Sequence, residues 1–234
     1  MPDISIKTAD GEFSGYLALP RGDGDGHRAP GMVVIQEIFG VNAVMRALCD
    51  DLAARGYVAL CPDLFWRQEP GIQLTDKTDA EWARAFELYK GFHEAKGVND
   101  LIAAIDHLRV HPACSGKVGS IGYCLGGKLA YLMATRSNAD CSVGYYGVGI
   151  ENALGEAGAI TKPLLLHIAE EDEFCSKEAQ EKIKQALGRN SMVTIYSYPG
   201  VGHAFARVGG KHWNAEAAQA ANERSAAFLK KNLS

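Results

Sequence analysis

The stretch Lys117-Val118-Gly119-Ser120-Ile121-Gly122-Tyr123-Cys124-Leu125-Gly126-Gly127-Lys128-Leu129-Ala130 constrains this chain more than any other. Its first five residues read as a short buried strand and Lys128 to Arg136 as a helix. A strand that turns at once into a helix brings its flanking backbone segments very close. Residues 122 and 126 then have little room for side chains, and the residue between them is forced into a strained conformation. The strain lifts the Cys124 Sγ above the sheet, where the N–H groups at the helix start favour a thiolate and can bond a developing oxyanion. This is the spacing of a nucleophile elbow, G-x-S-x-G, with sulfur in place of oxygen. The competing role for Cys124 is a buried structural thiol in an ordinary strand-to-helix turn.

At 234 residues the chain can bury a full core and suits one α/β domain spanning 1–234. A net charge of −4 supplies no basic footprint for nucleic acid. Met1-Pro2-Asp3 opens without the basic and apolar regions of a signal peptide, and no apolar run approaches the ~18 residues of a membrane helix. The six cysteines are scattered singly, without a C-x-x-C, so we expect reduced thiols in a cytoplasmic protein, five of them core fillers.

Ile4–Lys7 and Phe13–Leu19 alternate around Asp10-Gly11 as a hairpin, and Arg21 to Pro30 reads as a flexible surface loop. Met32–Ile35 is a strand buried on both faces. It leads into Gln36-Glu37-Ile38-Phe39-Gly40 and a helix capped by Asn42, with a stripe of Val44, Met45, Leu48, Cys49 and Leu52. Tyr57–Cys61 is the next strand. Between Pro62 and Lys96 the chain is rich in aromatics (Phe65, Trp66, Trp82, Phe86, Tyr89, Phe92), which either roof a site or fill core. Helices follow from about Ala80 and over Gly97–Arg109. Strands at 141–146, 163–169 and 192–198 are each followed by helix-compatible sequence, most clearly at Lys177–Leu187, and Asn214–Leu229 closes the chain. Alternating strands and helices imply a mostly parallel sheet with helices on both faces and ligands at the carboxyl ends of the strands.

A thiol nucleophile needs a base, and the base an orienting acid. Three histidines follow Cys124. His167 lies within an apolar strand and His212 in or beside the last helix, whereas His203 sits in a glycine loop just past a strand end, where a base belongs. The loop after residues 163–169 offers Glu170, Glu171, Asp172 and Glu173. Only one can face His203, the others being solvated surface charges, and the pattern alone does not choose. The N–H groups of Leu125 and Ile38 are candidates for an oxyanion hole.

Gln36-Glu37-Ile38-Phe39-Gly40-Val41-Asn42, Cys61-Pro62-Asp63-Leu64, Gly122-Tyr123-Cys124-Leu125-Gly126-Gly127, Gly144-Tyr145-Tyr146-Gly147 and Gly202-His203-Ala204-Phe205-Ala206-Arg207 together resemble the dienelactone hydrolase (carboxymethylenebutenolidase) family over essentially the whole chain. The resemblance implies an α/β-hydrolase fold without a large lid domain. It implies hydrolysis of a lactone such as 4-carboxymethylenebut-2-en-4-olide to maleylacetate, with no cofactor or metal, by a monomer acting on a small carboxylated lactone or ester. It selects Asp172 as the third triad member, Glu37 as a buried carboxylate beside the nucleophile, Arg207 as the reader of the substrate carboxylate and Tyr146 as a substrate contact. It further implies a switch, in which substrate draws Arg207, Glu37 moves to accept the thiol proton, and only then does a thiolate–imidazolium pair with His203 form. The chain departs from the family where a second carboxylate-binding arginine and a tyrosine are usual. Trp82 and Phe86 stand there, with Arg84 close by, so the particular lactone differs in expectation while the reaction type does not. The alternative from another class is a protein that no longer turns over and uses Cys124 for redox sensing or ligand binding.

Overall fold

The computed structural model describes residues 3–21 and 28–234, which divide into two compact units, residues 1–119 and 120–234. In the first, β1 (Asp3–Thr8) and β2 (Gly11–Ala18) form the expected hairpin, Thr8 facing Gly11. β2 runs antiparallel to β4 (Val58–Pro62), and β4 parallel to β3 (Ala29–Ile35). β3 starts three residues before Met32 because the Ala29 N–H is bonded to the Ala113 carbonyl at 2.8 Å. Of the loop expected over Arg21–Pro30, residues 22–27 lie outside the described residues.

Helix α1 (Ala43–Ala54) begins as its sequence predicts, the Asn42 Oδ1 accepting the N–H groups of Val44 and Met45 at 3.1 Å each. Its buried line is Met45, Cys49 and Ala53, a narrower stripe than expected, and it packs on β2, β3 and β4. Two helices fill the aromatic excursion, α2 (Asp79–Gly91) and α3 (Glu94–Val110), the latter starting three residues before Gly97. Several of these aromatics pack inward. Phe65 is fully buried and meets Phe92 edge-on at 6.0 Å, and Trp66 stacks on Phe13 at 5.8 Å while its Nε1 donates to the buried Asp100 at 3.0 Å. Phe13 and Phe65 are core, and Trp66 and Phe92 lie half-buried against them.

Strand β5 (Cys114–Tyr123) runs through the division between the units and is twice as long as the five residues expected. From it the order continues β6 (Ser142–Tyr145), β7 (Leu164–Ala169), β8 (Val193–Tyr198), all parallel. The eight strands are thus mostly parallel, as their alternation with helices requires. Every residue of β4, β6 and β7 is buried, the mark of strands covered on both faces. Each Leu or Ile so buried is worth about 1.5–3 kcal/mol, against ~1 kcal/mol for a helix cap. The strands therefore govern stability, and the caps set where the helices begin. In the second unit α4 (Leu125–Arg136) packs on β6 and β7, and α6 (Ala215–Leu233) on β7. The segment after β6 folds as a 3₁₀ run, Ile150–Ala159, and α5 (Lys177–Leu187) matches its expected bounds. Among the described residues no helix is long and apolar enough to cross a membrane.

Candidate active site

Cys124 stands between β5 and α4 with φ +56° and ψ −115°, a conformation that L residues adopt only when their surroundings enforce it. A Cβ on Gly122 would sit 1.9 Å from the Gly126 carbonyl oxygen, and one on Gly127 would sit 2.3 Å from that of Tyr145. The crowding that the glycine spacing implies is therefore real, and α4 begins at Leu125, not at Lys128, so its first turn rises directly from the cysteine. N–H groups in a first turn lack intrahelical acceptors and face outward toward an anion. All six cysteines are free thiols, and Cys124 alone is not buried. Burial pushes Cys141 and Cys175 up to about 12 and raises Cys49 well above its ordinary value, so these thiols stay protonated.

Among the described residues two other non-glycine residues have positive φ, Tyr146 (+38°) and Ala204 (+59°). Tyr146 directly follows β6 and Ala204 follows His203, whose ring lies against that of Tyr146, so the strained backbone of the second unit gathers around one place. The Cys124 N–H donates to the Tyr145 carbonyl (3.1 Å) and the Tyr146 N–H to the His167 carbonyl (2.8 Å), which hold the two strained turns to β6 and β7.

The His203 Nδ1 lies 2.8 Å from the Asp172 Oδ2, both side chains almost wholly buried. A carboxylate only accepts, so Nδ1 carries the hydrogen and the Nε2 lone pair is left for a proton. The second Asp172 oxygen accepts the Phe174 N–H at 2.9 Å. The His203 ring is flanked edge-on by Phe174 at 4.9 Å and Tyr146 at 5.2 Å. Burial opposes charge on His203, but negative charge on the Cys124 sulfur and the hydrogen bond that Nδ1 donates to Asp172 outweigh it and raise the ring to about 10. Nε2 makes no hydrogen bond in this geometry, yet the sulfur is near enough to couple to it electrostatically. A thiol and an imidazole in this relation can exchange a proton.

The three glutamates flanking Asp172 behave differently from one another. Glu171 pairs with Lys177 at the surface (2.9 Å), and Glu170 is half-buried with its backbone tied to Tyr198 (3.0 Å). Glu173, expected as a solvated charge, turns its Oε2 back to accept the His203 N–H at 3.4 Å. Burial works the other way, but its own N–H, that of His203 and the charges of His212 and His203 hold its carboxyl below the ordinary value.

Arg207 is 8% exposed, and its N–H donates to the Ala204 carbonyl at 2.9 Å in the turn that carries His203. In the first unit, Gln36 is fully buried and anchors the loop after β3, its Oε1 accepting the Leu64 N–H at 3.1 Å and its Nε2 donating to the Glu37 carbonyl at 3.2 Å. Glu37 and Ile38 are 3% and 5% exposed. Gly40 ends this loop at φ +76°, where a Cβ would meet the Ile72 carbonyl oxygen at 2.0 Å, so only glycine closes it. Trp82 meets Phe39 edge-on at 5.0 Å and Phe86 at 5.6 Å, making one aromatic cluster. Arg84 is not with them. Its guanidinium is engaged by Glu69 and Glu87 on a half-exposed face, so the sequence expectation of a carboxylate-reading role meets a charge that is already compensated.

Sequence reasoning passed over the chain of buried polar groups behind the site. The His167 Nδ1 is 2.7 Å from the Tyr198 hydroxyl and its Nε2 2.8 Å from the Ser225 Oγ, which lies 2.7 Å from the Tyr145 hydroxyl. Tyr145 donates to the Asn222 Oδ1 at 3.0 Å. With that end fixed, Ser225 donates to Tyr145, His167 donates through Nε2, and Tyr198 donates to Nδ1. Burial and the charge of Arg224 push His167 down to about 3, so the ring stays neutral and serves as scaffold for Tyr145 and Tyr146.

The profile of the dienelactone hydrolase family matches residues 13–233. A carboxymethylenebutenolidase of Pseudomonas putida is 41% identical over 226 residues, covering 97% of this chain and 94% of its own. A relative from Azospirillum brasilense, provisionally given the same name, is 54% identical over 237 residues, with all of both chains covered. Among solved structures, one from Klebsiella pneumoniae provisionally named a dienelactone hydrolase superposes with a TM-score of 0.85 at 25% identity, over 98% of this chain and 97% of that one. The chain belongs to the dienelactone hydrolase family, with its α/β-hydrolase fold.

Proposed function

We propose that this protein hydrolyses a lactone or ester bond in a small carboxylated substrate, of the dienelactone-to-maleylacetate kind, through Cys124, His203 and Asp172. The observation that carries this reading is the 2.8 Å His203–Asp172 contact in the same unit as a cysteine held at positive φ in a glycine-crowded elbow. When substrate binds, Glu37 accepts the Cys124 thiol proton, and the thiolate, paired with the His203 imidazolium, attacks the substrate carbonyl while Asp172 keeps the ring in the productive tautomer and stabilises the imidazolium. The N–H groups of Leu125 and Ile38 bind the tetrahedral oxyanion. Collapse breaks the ring C–O bond, the imidazolium gives its proton to the leaving oxygen, and the acyl group remains on sulfur as a thioester. Water, deprotonated by His203, then adds to the thioester and releases the acid with the thiol restored.

Arg207 reads the substrate carboxylate in this scheme, and Glu37 accepts the thiol proton when substrate arrives. Trp82 and Phe86 give the site a less polar wall. The reading is of a monomer in a reducing compartment, which suits a thiol nucleophile beside five buried thiols. Steady-state assays over carboxylated and neutral lactones and activated esters test it. Multiple turnovers with kcat/KM highest for carboxylated lactones are expected. A single stoichiometric burst without turnover would instead identify a protein that captures ligand or oxidant on Cys124.

A further inference from the structure

The backbone of His203 is held from both sides by two polar side chains. The Glu173 Oε2 accepts its N–H at 3.4 Å. The His212 Nδ1 lies 3.1 Å from its carbonyl oxygen, and because a carbonyl only accepts, Nδ1 must bear a hydrogen. The same His212 Nδ1 is 3.7 Å from the Glu173 Oε1, which closes a ring of contacts around the backbone of one residue. His212 is brought back over this turn by the Asn214 N–H, which bonds the Phe205 carbonyl at 2.9 Å just before Asn214 caps α6. The contact falls where the chain most needs support. Ala204, the next residue, is at φ +59°, and nothing in a regular strand or helix fixes the histidine's own peptide groups. Neither side chain is buried, their exposures being 34% for His212 and 47% for Glu173, so neither serves as core.

We propose that Glu173 and His212 are positioning residues that clamp the backbone of His203 and so fix the distance and angle at which its Nε2 meets the Cys124 sulfur. This rests on the reading of His203 as the base. Asp172 orients the ring about its own axis through Nδ1, and the clamp fixes the peptide from which the ring hangs; the two act on different degrees of freedom. A misplacement of about 1 Å at a reacting pair can slow chemistry by ~100-fold. A clamp of one long and one ordinary hydrogen bond that restrains part of that displacement is expected to be worth roughly 10-fold in kcat.

The test compares Glu173→Ala and His212→Ala with the conservative Glu173→Gln and His212→Asn, using wild type, His203→Ala and a fixed activated ester. Glutamine retains an oxygen acceptor, and the asparagine Nδ2 can take the place of the imidazole Nδ1 donor. The alanine variants are expected to lose roughly 10-fold in kcat with KM and melting temperature little changed, and the downfield His203 Nδ1 proton resonance should broaden or move. The conservative variants should recover most of the rate. Because the contacts act on one residue and on one another, the double alanine variant should lose less than the product of the single losses. If His203→Ala abolishes turnover while both alanine variants keep wild-type kcat and an unmoved Nδ1 resonance, the clamp is refuted and the base assignment stands. If His203→Ala keeps turnover, the base assignment itself fails, and the clamp with it.

Discussion

Replacing Gly122 by alanine should damage this protein far more than its size suggests. The new Cβ would lie 1.9 Å from the Gly126 carbonyl oxygen, 2.4 Å from its carbon and 3.0 Å from its Cα, all backbone atoms with no rotamer to retreat into. Ordinary contact begins at 3.4 Å, so the end of β5 and the first turn of α4 must part by about 1.5 Å. Retreat of the strand is blocked, because Gly122 pairs with Gly144, whose own Cβ position is 2.7 Å from the Gly127 carbonyl oxygen. Overpacking costs about 1–3 kcal/mol when side chains can adjust; with backbone on both sides ~3 kcal/mol is the working figure. At roughly 2–4 °C per kcal/mol for a chain of this length, the melting temperature should fall by roughly 6–12 °C. Cys124 lies two residues on, so surviving folded enzyme should lose about 100-fold in kcat. Calorimetry with parallel ester hydrolysis measures both, and Gly155→Ala, where a Cβ meets nothing within 4 Å, is the control. A Gly122→Ala protein that melts with wild type and turns over normally would refute the steric account of the elbow.

Asp172→Asn should lower kcat by about 10⁴-fold by favouring the wrong tautomer of His203, while Glu171→Gln, which only loses a surface pair with Lys177, should stay near wild type; the reverse order in steady-state rates would move the triad acid. Arg207→Ala should cut kcat/KM for anionic lactones by roughly 30- to 1000-fold, from the ~2–4 kcal/mol of a desolvated charge pair, and spare p-nitrophenyl acetate. Equal losses on both substrates would make Arg207 structural. The histidines set opposite pH limbs. His167 is depressed from 6.5 to about 3, so the unfolded chain binds the extra proton between those values and stability should fall as pH drops through that window. His203 is raised to about 10, so its contribution is complete below 6.5 and lost as pH rises toward 10. Urea midpoints across pH should show both limbs, the acid one flattened in His167→Gln and the alkaline one in Cys124→Ala; unchanged slopes would contradict the assignment.

The parts of this site that sequence made legible are those with local causes. Glycines at fixed distances from Cys124 reflect contacts within a few residues, and the Asn42 cap reflects bonds to Val44 and Met45. His203 stood out because it follows a strand end in a glycine loop. Asp172 did not separate from its acidic neighbours by pattern, since what distinguishes it is the direction of one side chain across 31 residues; the family resemblance made that choice. The Glu173–His212 clamp and the Tyr198–His167–Ser225–Tyr145 chain were invisible for the same reason, being joined only by the fold. The positive φ of Tyr146 and Ala204 bears no glycine to announce it. Arg84 shows the converse, a plausible address on α2 whose charge the fold commits to Glu69 and Glu87.

The central claim is that the sulfur of Cys124 carries the acyl group during turnover. Rapid acid quench of the enzyme with a slowly deacylating activated ester, followed by peptide mass analysis, measures this directly. The account predicts one acyl equivalent on the peptide containing Cys124, formed and lost at rates that match the burst and steady-state phases, and none on Cys49, Cys61, Cys114, Cys141 or Cys175. Acylation of another residue at kinetically competent rates, or full turnover by Cys124→Ala, would contradict it.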